Sequence, residues 1–228
     1  MRIGNLKKQI IFAVLGASAL LVQMPVSAQT KIASSSNTSS NNTSSAIASS
    51  TQAPTSQETL PPIGWVQLCR DYTKDKRQPC SNQNLPALDV KLDDVAWKAM
   101  LKINADVNRE IEPATDMEHW GVVDQWDFPD DKKGDCEDFV LLKRQRLMEI
   151  GFPRQALLIT VVRDLQGEGH AILTIKTDKG DFIMDNMNTK LLPWTSTGYK
   201  YIKRQSQENP NRWVSLGSVD TAIYTSKN

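Results

Sequence analysis

Helical periodicity followed by strand periodicity predicts an α+β domain, with two amphipathic helices ahead of an antiparallel hairpin. Three observations carry this. Val95, Met100, Ile103, Val107 and Ile111 recur at intervals near three and four across residues 92–111. Cys136, Phe139, Val140, Leu147 and Ile150 share one side of a second helical stretch, which Gly151 and Pro153 stop. From Leu157 onward the period drops toward two, and Asp178-Lys179-Gly180 marks a turn between two strand-like runs.

The chain begins with the three parts of a secretory signal: Arg2, Lys7 and Lys8, then an apolar run from Ile10 to Val22, then Val26-Ser27-Ala28. The apolar run is shorter than the ~20 residues a membrane span needs and contains Gly16 and Ser18. Export with cleavage after Ala28 is therefore expected, giving a periplasmic or secreted protein with no transmembrane segment after cleavage. Residues 29–60 are rich in Ser, Thr, Asn and Ala and hold almost no large apolar side chain, so a disordered linker is expected there. Pro61-Pro62 closes it, a single folded domain is expected over residues 61–220, and residues 221–228 form a tail. The chain carries 27 basic and 26 acidic residues; without the three basic residues of the signal, 24 face 26. A near-neutral chain has no long-range attraction for nucleic acid or anionic lipid, which argues against nucleic-acid binding.

Cys69 and Cys80 lie in a polar stretch. In an exported protein this spacing suits a local disulfide across a turn, with free thiols or half a metal site as the alternatives. Pairing them leaves Cys136 as the odd cysteine, a candidate reactive thiol. Residues 92–111 read as a scaffold helix capped by Asp93 or Asp94 and ended by Pro113. His119, Trp120, Trp126, Phe128 and Pro129 follow in a loop, whose aromatics either fill the core or wall a cleft beside Cys136.

Gly134-Asp135-Cys136-Glu137-Asp138-Phe139 is the stretch with the most chemistry. A cysteine in the first turn of a helix faces unsatisfied N–H groups and the positive end of the dipole, which favour a thiolate and can stabilise an oxyanion. Three flanking carboxylates would oppose this if they lay near the sulfur. Either they cap and decorate the helix N-terminus or they bind a hard cation such as calcium. Downstream, His170, Ile172 and Thr174 alternate with Ala171, Leu173 and Ile175. A two-residue turn closing Thr177 on Gly180 would set Asp185 opposite Ile172, with His170 its diagonal neighbour and within side-chain reach. A turn one residue longer would separate them onto opposite faces. In the first register, Cys136 attacks, His170 takes its proton and Asp185 orients the imidazole.

The segments GDCEDFVLLKRQRLMEIGFP, GHAILTIKTDKGDFIMDNM and PWTSTGYKYIKRQSQENPNRWVSL, in that order, resemble the bacterial transglutaminase-like cysteine proteinases, a family that includes LapG-type adhesin-processing enzymes of the periplasm. The resemblance covers about residues 61–218. It implies a papain-like/transglutaminase-like fold with the nucleophile helix on an antiparallel sheet, and a Cys136, His170, Asp185 triad. It further implies calcium held by Asp135, Glu137 and Asp138, no organic cofactor, and a protein substrate of the surface-adhesin kind with a membrane receptor as regulator. Gln125 and Trp126 lie where a cleft wall or an oxyanion donor is expected, without a motif to anchor them. The same triad also serves an acyl transferase or amidase, and the fold without catalysis would serve as a calcium-dependent binding module.

Overall fold

The computed structural model describes residues 51–217. The expected signal (1–28), most of the expected linker (29–50) and the tail (221–228) lie outside the described residues. The chain runs through β1 (Thr55–Thr59), α1 (Ile63–Asp71), α2 (Asp94–Glu110), β2 (Glu112–Pro113), α3 (Asp116–His119), β3 (Lys133–Gly134) and α4 (Cys136–Glu149). It then forms β4 (Leu157–Arg163), β5 (Gly169–Thr177), β6 (Gly180–Met184), β7 (Leu192–Pro193), β8 (Lys200–Gln205) and β9 (Trp213–Leu216). Seven strands make one sheet in the order β1-β9-β8-β4-β5-β6-β7, antiparallel throughout. Strands β2 and β3 pair separately and in parallel. Among the described residues no helix is long and apolar enough to cross a membrane.

The helices sit where their apolar stripes require. The Asp93 carboxylate accepts from Ala96 N at 2.8 Å and caps α2, which buries Met100, Ile103, Asn104 and Val107. Val95 is 77% exposed, because at 100° per residue it rotates away from that arc. Helix α4 lies on β5: Phe139, Val140 and Leu147 share the main core with Ala171, Leu173 and Ile175. The alternate residues of β5 face the other way, where Ile172 packs with Val162 and Ile183 under Trp194, Tyr199 and Tyr201. The two faces of β5 thus serve two clusters.

The β5–β6 hairpin closes on Asp178-Lys179, with Thr177 opposite Gly180 and Leu173 opposite Met184. Gly180 has φ +115°, a backbone that side-chain-bearing residues rarely adopt. Continued by one step, this register brings Asp185 opposite Ile172.

The N-terminal boundary differs from the expected one. Residues 55–59, assigned to the linker by composition, pair with β9 as an edge strand. Just before them, Asp181 N donates to Thr51 O at 2.8 Å and Ala53 N to Asp181 Oδ2 at 3.0 Å. Asp181 is itself buried, and Arg204 Nη1 donates to its Oδ2 at 2.8 Å. Lys176 Nζ lies 2.9 Å from its Oδ1 as an ion pair rather than an aligned hydrogen bond. A stretch poor in apolar residues is held here by backbone pairing and buried charge, forces that a composition argument does not see.

Cys69 of α1 is joined to Cys80 by a disulfide with a Cα–Cα distance of 5.4 Å. In the same helix Gly64 lies flat against Trp126: a Cβ there would be 2.3 Å from the indole Cδ1. Trp65 meets Trp126 and Trp213 edge-on, at centroid distances of 6.1 and 6.3 Å. Gly64→Ala should therefore displace the Trp126 ring and cost roughly 1–3 kcal/mol, the usual penalty of overpacking. Urea denaturation of the two proteins, with tryptophan fluorescence as the probe, checks both the loss and the displaced ring.

Candidate active site

Cys136 stands at the first position of α4, and the first residues of β5 come up against it. Ala171 N donates to Cys136 Sγ at 3.3 Å, and the thiol donates to Glu137 Oε2 at 3.0 Å. Cys136 shares a cleft of about 260 Å³ with His170, Gly169, Trp126, Asp124 and Pro62. A Cβ at Gly169 would meet no atom within 4 Å, so the cleft is open beside the thiol. Trp126 is both core and wall: it packs on Gly64 and Trp65 while lining this cleft. Its indole N–H goes to Asp124 Oδ1 at 3.1 Å, and Gln125 offers only its backbone N–H, to Asp116 Oδ2 at 2.5 Å.

His170 and Asp185 are brought together. His170 Nε2 lies 2.9 Å from Asp185 Oδ1, with both side chains buried. That leaves Nδ1 as the ring nitrogen for chemistry in the cleft. Asp185 is held from several sides that the sequence did not announce. Tyr199 OH donates to its Oδ2 at 2.6 Å, Met187 N to its Oδ1 at 2.9 Å, and Asn108 Nδ2 to its backbone oxygen at 2.9 Å. The Tyr199 ring also stands edge-on to His170 at 5.8 Å. Burial works to raise the Asp185 pKa, but the bonds from His170 and Tyr199 outweigh it and hold the group below the ordinary carboxylate value.

The carboxylates around the thiol are in the opposite condition. Asp135, Glu137 and Asp138 are joined by Asp116 and Asp124, which no motif had flagged. Asp116, Asp135 and Asp138 can bring ligand oxygens within 4.8 Å of one another, as can Asp116, Asp124 and Glu137. Asp116 arrives on α3, whose start is fixed by a reciprocal capping box between Thr115 and Glu118. Asp135 occupies the N-cap position of α4 but makes no capping bond, and its Oδ1 is buried without a hydrogen-bond partner. Asp138 accepts from Asp127 N at 2.8 Å. Burial pushes the pKa of Asp116, Asp135 and Glu137 upward; the Asp135 carboxyl adds to the rise at Asp116 and Glu137, while the bond with Glu137 works against it at Asp135, and burial pushes Asp138 to about 8. The thiol is raised well above its ordinary value by burial and then by Glu137, against the N–H of Ala171. The carboxylates do not point away from the sulfur. Glu137 holds its proton.

A crowded set of hard oxygens, three of its five carboxylates buried and one acceptor of Asp135 orphaned, fits a divalent cation of the calcium type. Asp135, Glu137, Asp138, Asp116 and Asp124 are the residues that could hold it. Without the cation the protein should lose stability as pH rises from about 4 toward 8. Over that window the unfolded Asp138 has released its proton and the folded one has not. Asp138→Asn keeps an acceptor for Asp127 N and removes the titration. Urea denaturation in a chelator at pH 5 and pH 8 should show a shallower decline in the variant, by on the order of 1–3 kcal/mol.

The family model for the bacterial transglutaminase-like cysteine proteinases (BTLCP) matches residues 55–221. Among solved structures, calcium-bound LapG from Legionella pneumophila aligns at 24% identity and a TM-score of 0.47, over 59% of this chain and 77% of that one. A second LapG structure from the same organism aligns at 26% identity and 0.45, over 57% and 72%. An EGTA-treated form aligns at 24% and 0.46, over 58% and 76%. No curated protein matches the sequence.

Proposed function

The chain belongs to the bacterial transglutaminase-like cysteine proteinases and is a cysteine peptidase of that family; from this premise we propose an exported endopeptidase that cleaves an envelope or cell-surface protein through Cys136, His170 and Asp185. The observation that carries the reading is the buried His170–Asp185 pair at 2.9 Å, with His170 lining the same cleft as the thiol. The sequence signal at residues 1–28 supports export, and surface adhesins under a membrane receptor's control are the substrate class the resemblance suggests.

Each step follows from the groups in place. His170 Nδ1 takes the thiol proton, while Asp185 keeps Nε2 protonated and compensates the imidazolium. The sulfur attacks the scissile carbonyl, and backbone N–H groups at the start of α4 face the oxyanion. Collapse expels the amine, which takes the proton from His170 and leaves a thioester on Cys136. Water, deprotonated by His170, then releases the acyl group as a carboxylic acid. The family's calcium fits this site because Asp135, Glu137, Asp138, Asp116 and Asp124 could hold it. Its charge would offset the anions that keep the thiol protonated.

Carboxymethylation of Cys136, read by mass spectrometry, tests the nucleophile: Cys69 and Cys80 are disulfide-bonded and silent. Labelling should be faster in calcium than in EGTA at pH 7, about tenfold for each unit by which the thiol pKa falls. Equal rates in both, matching a denatured control, would remove the basis for the reading. Surface proteins from cells carrying the wild type or Cys136→Ala identify the reaction. A shortened partner present only with the wild type supports hydrolysis, whereas a heavier, cross-linked one assigns acyl transfer to an amine.

A further inference from the structure

A second cavity, of about 180 Å³, lies behind the His170–Asp185 pair and has no role in the steps described above. Ile183 and Asp185, 1% and 3% exposed, form its floor, with Leu192 and Tyr199 at its sides. Leu165 and Met187 stand at its mouth, 69% and 58% exposed. Large apolar side chains left in water singly are ordinary, but two at the rim of one cavity with an apolar floor mark a surface that gains by being covered.

The cavity and the thiol cleft lie on two sides of one partition. His170 lines the cleft, Asp185 lines the cavity, and their 2.9 Å bond joins the two. The loop between β4 and β5 also borders both, with Gly169 at the cleft and Leu165 and Gln166 at the cavity. That loop is firmly built: Asp164 Oδ1 accepts from Gln166 N and Glu168 N, both at 2.9 Å, and Arg163 Nη1 donates to Gly167 O at 2.8 Å. It carries Leu165 over to Gly198, where a Cβ would stand 2.9 Å from Leu165 Cδ2. The lining also selects by charge. Asp185 is already engaged by His170, Tyr199 and Met187 N, and Lys190, the other charged residue of the lining, would repel a basic side chain. An acidic one would gain from Lys190 and lose against Asp185. A neutral aliphatic side chain meets neither charge and covers Ile183, Leu165 and Met187.

We propose that this cavity is a specificity subsite, which takes a neutral aliphatic side chain from the part of the protein substrate that departs with the amine. The inference rests on the triad reading given above and adds a substrate preference to it. His170 gives its proton to the leaving amine, so the departing chain runs off past His170, on the side where Asp185 and Tyr199 stand. An extended chain advances about 3.3 Å per residue, which brings roughly the second or third residue after the scissile bond to the cavity. A leucine, isoleucine or methionine there packs on Ile183, and Leu165 and Met187 close over it.

Methyl NMR of Cys136→Ala protein, labelled at isoleucine, leucine and methionine, reads binding with no reaction taking place. The probes are the peptide amide Gly-Gly-Leu-Gly and its counterparts with glycine, glutamate or lysine in place of leucine, at millimolar concentration. The leucine peptide should shift the methyls of Leu165, Ile183 and Met187 and bind about tenfold tighter than the glycine peptide. Leu165→Asp should remove that preference while the core methyls of Leu147 and Leu173 keep their positions, and Leu165→Met should retain it. Unmoved cavity methyls, a glutamate or lysine peptide that binds as well as the leucine one, or a folded Leu165→Asp protein that binds like the parent would each overturn the proposal. With the active protein, a digested peptide library should show aliphatic residues enriched at the second or third position after the cut, and a library cut without that enrichment would overturn it too. The outcome is separable from the catalytic reading: an unreactive Cys136 in the labelling experiment, with the cavity methyls still shifting, would sink the triad and leave the cavity as a peptide-binding site.

Discussion

The seam between α4 and β5 is the contact on which the site depends. Helix α4 is pressed onto one face of the strand by Phe139, Val140 and Leu147 against Ala171, Leu173 and Ile175. That fixes the distance between the helix start and the strand start. It lets Ala171 N reach the sulfur, while strand alternation turns His170 to the opposite face, toward Asp185 and Tyr199. Cys136 and His170 thus arrive from the two sides of one strand. They share a cleft at its first residues, where Gly169 has no side chain to close it.

The same compactness creates an electrostatic conflict. A thiol at a helix N-terminus is ordinarily made more acidic by the dipole. Here burial and Glu137 act the other way, and Asp135, Asp116, Asp124 and Asp138 crowd in behind. Asp185, some 50 residues downstream, carries a carboxylate of the opposite kind, kept ionised by the donors around it. Two populations of carboxylate therefore coexist: Asp185, held ionised by the donors around it, and Asp135, Glu137 and Asp138, pushed by burial toward the protonated form beside Cys136.

Much of the architecture was legible because it depends on periodicity. The α2 and α4 stripes, the β4 to β6 strands and the hairpin turn are local patterns, and the register that gathers His170 and Asp185 was one of two readings open to the Asp178-Lys179 turn. What escaped depends on long-range packing. Asp116 and Asp124 belong to the carboxylate cluster only because α3 and its following loop fold back over α4. Tyr199 reaches Asp185 from beyond β7, and no spacing rule connects them. Strand β1 was hidden by its composition, since an edge strand can be held by its backbone.

The clamp at residues 51–53 extends beyond the N-terminus itself. The chain passes from Asp181 on β6 to the far edge of the sheet, where β1 covers β9. It therefore ties together strands that are four places apart in the sheet order. Trimming the protein at Pro61, as composition alone would suggest, would strip the cover from β9 and leave a row of unsatisfied backbone groups open to another chain. It would also uncover the Asp181 carboxylate shared between Lys176 and Arg204 and remove the backbone N–H of Ala53 that donates to it. The segment before the first helix thus carries the outermost strand of the sheet and the cover of its buried charge at once.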